Sequence, residues 1–264
     1  EIVFGDWSSD VCSSDLVNQE YVAQYFENSH GVLYKAELGS SLSYLGEEPS
    51  AYENSFTQQT RVNDADMAPL IAFSRFLSES DDETFEQELA AYSNVDSFAT
   101  YLALSNLLVN IDSIAGMNNN YYLYYDDVED RFTLLMWDTN ESLGGLGVRM
   151  GDLDGVASYN LYYEGQQVRP NGLGGGQNIL VKRFLSSAVF RALYEEKLKF
   201  VYQEVFVSGA IQVDLEHYVK LIESVNQDEK YASAESYEQS VQVVRDFLAQ
   251  RVAYLQGTEL LGNP

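Results

Sequence analysis

The hydrophobic period of this chain changes from helical to strand-like in the middle, and that change limits the folds open to it. From Phe98 to Ile111, the residues Phe98, Leu102, Leu104, Leu107, Leu108 and Ile111 are apolar on most sides of a helix. A helix of that kind is central and buried. From Tyr121 the pattern becomes that of strands. Tyr121 to Tyr125 and Phe132 to Trp137 are β-rich runs, and the polar stretch Asp126 to Asp130 separates them as a turn. These features predict a hairpin. Between helix and hairpin lies a polar loop, Ser113 to Asn120, with Gly116 as its expected hinge.

The rest of the chain surrounds this hairpin with helices, so the expected fold class is α+β, mostly α. Residues 17–62 read as short strands and loops around the apolar run Val32-Leu33-Tyr34. Asp64 is the expected cap of a helix bearing Met67, Leu70, Ile71 and Leu77 on one face, with Pro69 near its start, where proline is tolerated. A short helix fits Asp82 to Tyr92, and Asn94 or Asp96 caps the central one. Residues 139–178 hold ten of the eighteen glycines, and a segment this long is usually functional or disordered. From Ile179 the helical period runs to the end.

The candidate chemistry lies in the order of these elements. A buried helix leads into a loop carrying Asp112 and, eight residues on, Asn120, and the hairpin's second strand then delivers Asp138. Phosphoryl transfer on a protein-kinase lobe uses groups in this order: a loop Asp beside the attacking hydroxyl, a loop Asn on metal and a post-strand Asp on metal. A hard divalent cation bridging phosphates takes a few oxygen ligands. The attacking hydroxyl needs a carboxylate within hydrogen-bond reach. Loop Asp and Asn residues around a hairpin also serve purely structural roles, and the pattern alone leaves both open. Trp137 is expected to pack beneath the site and orient Asp138.

The residues themselves carry a resemblance. The stretch from Asn110 to Gly144, NIDSIAGMNNNYYLYYDDVEDRFTLLMWDTNESLG, resembles the core of the CotH (spore-coat protein H) kinase family: an N-x-D turn, an Asn entering an N-Y-Y-L-Y strand, and a strand ending in W-D-x-D. GVLYKAE at Gly31 to Glu37 resembles that family's G-N-L-Y-K segment. The helical stretches Leu180 to Phe206 and Arg245 to Leu255 resemble its later helices. The resemblance covers about residues 17–256 and implies an atypical protein kinase with a kinase-like C-terminal lobe, the hairpin at its active face. It implies Asp112 as the catalytic carboxylate, Asn120 and Asp138 as metal- and nucleotide-binding residues, Mg²⁺ or Mn²⁺ as the metal, and ATP as phosphoryl donor to a protein substrate. The second acid of W-D-x-D is Asn140 here. That residue keeps a carbonyl oxygen for a metal but loses a charge. Family members carry an N-terminal lobe with a phosphate-gripping lysine, which is expected to precede this chain. Lys35 lies downstream of that place and is read as a solvated strand-end lysine.

Asp6 to Leu16, DWSSDVCSSDL, matches a common sequencing adapter translated in one frame. Residues 1–16 are therefore expected to be non-native, and 17–264 to be the kinase-domain fragment. Glu1, Asp6, Asp10 and Asp15 fall in that stretch with no Lys or Arg, so without it the net charge moves from −26 to −22. Cys12, the only cysteine, also goes, which removes disulfides and cysteine-based zinc sites from consideration. So strong a negative charge argues against nucleic acid as a partner and favours a basic protein partner. It suits a salty or extracytoplasmic setting equally, and a spore coat or cell surface is the expected location. No apolar run is long enough to span a membrane.

Other features point to no function. Asp126, Asp127, Glu129 and Asp130 lack the spacing of a calcium loop, and GDLDG (Gly151 to Gly155) reads the same way. Gly172 to Gly176 lacks the Lys-Ser/Thr of a phosphate loop. His30 and His217 are isolated. The alternative to a kinase is a non-catalytic surface or structural protein on the same fold.

Overall fold

The computed structural model describes residues 17–145, 151–162, 178–226 and 231–262. The stretch read as adapter lies outside them, as do 146–150 and 163–177 of the glycine-rich segment. The fold is α+β and mostly helical. By their contacts the described residues form two compact units. The first takes residues up to 101, then 112–139 and 178–191. The second takes 102–111, the described residues of 140–162, and those from 192 on.

The first unit is built on an antiparallel sheet of four strands in the order β2-β1-β3-β4. The strands are β1 (Val32–Ala36), β2 (Phe56–Gln58), β3 (Tyr121–Asp126) and β4 (Arg131–Met136). The hairpin β3–β4 lies where its period places it. The apolar run at Val32 does more than expected, pairing Val32 with Tyr125 and Lys35 with Tyr122 to extend the hairpin into a sheet. Lys35 is thus a half-buried residue of an inner strand.

Side chains alternate between the two faces of the sheet. One face carries Tyr34, Tyr121, Leu123 and Phe132, against which Phe73 of α2 (Ala68–Glu79) stacks at 5.0 Å from Phe132. The other carries Leu33, Tyr122, Tyr124 and Leu135. There Trp137, Val17 and Val22 of α1 (Gln19–Tyr25) complete a small core.

The helices of this unit start at polar caps, though not always at the expected residue. Helix α2 begins after Met67, and Asp66 rather than Asp64 accepts a bond from the Ala68 N–H at 3.0 Å. Asp64 instead pairs with Arg61. Helix α3 spans Asp82–Tyr92 with Asp81 as its cap. The α4 helix (Val95–Leu107) is capped by Asn94, whose Oδ1 accepts from the Ser97 N–H at 3.1 Å. Asp96, the other candidate, lies inside the first turn.

In the second unit, α5 (Leu153–Ala157) is capped by Asp152, which explains the GDLDG run. Helices α6 (Ile179–Ser186, in the first unit), α7 (Ala188–Val201), α8 (Ala210–Val225) and α9 (Ala234–Gln256) follow. Arg251 of α9 is fully buried. It donates to the carbonyls of Asn106, Leu107, Ala157 and Tyr159 and to Asn106 Oδ1, at 2.6–3.2 Å. The last carbonyls of a helix lack partners within it, so Arg251 acts as the C-terminal cap of α4. With Val109 in the left-handed region (φ 53°), this ends α4 at Leu107, short of Ile111, to which its apolar period runs.

Candidate functional site

Beyond α4 the chain runs as a loop from Asp112 to Asn120 before entering β3. The turn conformations of this loop fall on asparagines. Asn118 (φ 53°) and Asn120 (φ 51°) both take the left-handed backbone, and Gly116, the expected hinge, does not. Asparagine tolerates that region better than other side-chain-bearing residues because its short amide bonds locally. The loop is anchored where the Asn118 carbonyl accepts from Gly39 N at 3.0 Å and Ser40 Oγ at 3.2 Å.

The two left-handed residues help aim consecutive side chains at one group. Asn120 Nδ2 donates to Asp112 Oδ2 at 2.8 Å, and Asn119 Nδ2 donates to Asp112 Oδ1 at 3.1 Å. Asn120 Nδ2 also reaches the main-chain carbonyl of Asp138 at 3.3 Å. The structure therefore joins Asp112, Asn120 and Asp138 through one amide, and all three are half-buried.

Asp138 lies two residues beyond the end of β4, after Trp137, and has φ 40°, a third strained position in the same small region. Non-glycine residues in the left-handed region cost free energy and persist only where surrounding structure holds them. At Asp138 that support comes from its neighbour. Trp137 is 8% exposed and meets the Tyr122 ring edge-on at 5.3 Å. Trp137 is thus buried in the small core with Tyr122, one residue before Asp138. Asn140 lies two residues further on, exposed, at the start of the second unit.

The donor set suits a small hard cation. Both hydrogen bonds of the Asn120 side chain leave from Nδ2, so its Oδ1 carbonyl faces no described donor. Mg²⁺ characteristically takes one or two carboxylates and completes its shell with phosphate and water, and Asn120 and Asp138 are the residues that the family resemblance implies for it. Among the described residues, no group of three His, Cys, Asp or Glu side chains could hold a metal alone.

Asn119 escaped the sequence reading. The only trace of it there was the run of three asparagines from Asn118 to Asn120, which does not say which of them bond. Among the described residues no helix is long and apolar enough to cross a membrane.

No curated protein matches the chain. The family model described as CotH kinase protein matches residues 13–255. That is most of the sequence, including the loop, the hairpin and the later helices, and the chain belongs to the CotH kinase protein family.

Proposed function

We propose that this chain carries the phosphoryl-transfer site of a protein kinase that moves the γ-phosphoryl group of ATP to a hydroxyl side chain of a surface or coat protein. The observation that carries the reading is the Asp112 carboxylate, held at both oxygens and tied through Asn120 to the end of the strand that delivers Asp138. Asp112 is the group that accepts the proton of the attacking hydroxyl. Asn120 Oδ1 and the Asp138 carboxylate are the groups that would hold Mg²⁺ or Mn²⁺, which neutralises phosphate charge when bound. In the reaction the acceptor oxygen bonds to the γ-phosphorus, the bond to the β–γ bridging oxygen breaks, ADP leaves, and the proton passes to Asp112. The net charge of −26 favours basic acceptor proteins.

One feature supports a second reading, a non-catalytic surface protein. Asn140 stands where the family pattern has an acid, so the site has one charge fewer for a cation.

Transfer of labelled γ-phosphate from ATP to a mixed basic protein substrate separates the two. With Mg²⁺ the full-length parent, which carries the N-terminal lobe, should label the substrate while residues 17–264 alone should not, and Asp138→Ala in the parent should lower the rate by about 10³-fold or more, because the strand-end carboxylate is lost to the metal. Absence of transfer by the parent, together with no effect of Asp138→Ala on metal or nucleotide binding, would establish the non-catalytic reading.

A further inference from the structure

We propose that Asn119 is a positioning residue for Asp112, dedicated to fixing the plane of its carboxylate for proton transfer. This rests on the kinase reading above and adds to it a residue for which the family resemblance implies no role.

An aspartate carboxylate turns about a soft torsion, broad and roughly two-fold. A single donor leaves that rotation loosely set. Here two donors hold it, one on each oxygen, from adjacent residues. In an extended chain adjacent side chains point to opposite faces. The left-handed backbone at Asn118 and Asn120 breaks that alternation and lets both amides converge. The loop accepts two strained non-glycine residues here, and the contact they make possible is a fork on Asp112.

The two arms of the fork differ. Asn120 also bonds the Asp138 carbonyl, so its loss would disturb several things at once. The Asn119 side chain has one hydrogen bond among the described residues, to Asp112 Oδ1. It is half-buried and packs no core. It contributes orientation, and it adds no charge to the site. A carboxylate has about four lone-pair directions, and the two amides take one on each oxygen.

The test is a double-mutant cycle in turnover, using the full-length parent, MgATP and the basic protein substrate, with single-turnover labelling for slow variants. Asn119→Ala should lower kcat by roughly 10- to 100-fold while the KM for ATP stays within about twofold, because only proton transfer loses alignment. Asn119→Gln, which keeps an amide donor, should recover part of the loss. Once the carboxylate is gone in Asp112→Asn, adding Asn119→Ala should change kcat by less than about twofold, since the residue has nothing left to position. Asn119→Asp preserves side-chain size if the alanine variant folds poorly, and it should show the same kcat-specific loss in the wild-type background.

An equal loss from Asn119→Ala in both backgrounds would mean a merely structural role and overturn the proposal, as would no loss in the wild type. Both results leave the kinase reading standing. If the unmutated protein transfers no phosphate, that reading fails and the positioning role falls with it.

Discussion

Asp112 and Arg251 are each met by several hydrogen bonds, yet the two groups are satisfied differently. Arg251, in the second unit, has no exposed surface, and it donates to four main-chain carbonyls and to the Asn106 amide. Asp112, in the first unit, is half-buried and held by side-chain amides alone among the bonds described above. The backbone around Asp112 is strained at Asn118, Asn120 and Asp138, whereas the arginine draws on helix ends that need donors in any case. A network that ends on main-chain carbonyls serves the fold, whereas a carboxylate held by neighbouring amides on strained backbone is oriented as well as satisfied. Arg183 of the first unit lies between the two cases: it donates to Leu77 O and Ser80 Oγ at the end of α2 and lies over the Phe85 ring at 4.2 Å, but it also pairs with the exposed Asp82 carboxylate at 3.2 Å.

The contrast predicts where substitutions hurt. Arg251→Met should be the most damaging to stability. It leaves buried carbonyls at Asn106, Leu107, Ala157 and Tyr159 without their donor, and truncating a buried charged group in such a network costs about 3–5 kcal/mol. The fall in urea midpoint at constant slope measures it. A loss below about 1 kcal/mol would mean that water replaces the guanidinium and that this network is less closed than its geometry indicates.

Trp137→Ala tests the join between the core and the site. The indole belongs to the same small core as Leu33, Tyr122 and Tyr124, and the next residue is Asp138. The cavity should cost about 3–5 kcal/mol. Unlike Arg251→Met, it should also weaken Mg²⁺ binding measured by titration at a temperature where the protein stays folded, because Asp138 loses the packed neighbour that holds its strained backbone. Unchanged metal affinity would show that the hydrogen bond from Asn120 to the Asp138 carbonyl is sufficient support.

Much of this architecture was legible because it is local. Asp82–Tyr92 and the hairpin announce themselves through caps, turns and period, and Asp112, Asn120 and Asp138 stand out because they end those elements. The pairing of β1 with β3 did not, since it joins residues about ninety positions apart and its outer neighbour β2 is three residues long. Arg251 was hidden for a different reason. An arginine on a terminal helix is ordinarily solvent-facing, and only the fold reveals the carbonyls it caps. The loop's bends were assigned to Gly116, the residue with the least steric restriction, but they belong to asparagines whose amides have bonds to make. Backbone strain compensated by side-chain bonding leaves no periodicity to read.

Asn94→Ala should have the smallest effect, and it probes the same central helix at its other end. Asn94 Oδ1 accepts from Ser97 N at 3.1 Å, and the Asn94 N–H donates to Phe132 O at 2.8 Å, so this residue both starts α4 and ties that start to β4. Alanine keeps the main-chain bond and removes only the side-chain cap, which is typically worth about 1 kcal/mol. The helix start lies far in sequence from Asp112, and the fork on that carboxylate is made by residues of the loop itself. Stability should therefore drop slightly, as a shift of the thermal midpoint, while turnover at a temperature well below that midpoint stays at the wild-type value. Asn94→Asp should restore the cap, since a carboxylate accepts the same bond and suits the positive end of the helix dipole. A loss of turnover in Asn94→Ala without a matching loss of stability would show that the N-terminal end of α4 sets the geometry of Asp112, and that the fork does not fix the carboxylate by itself.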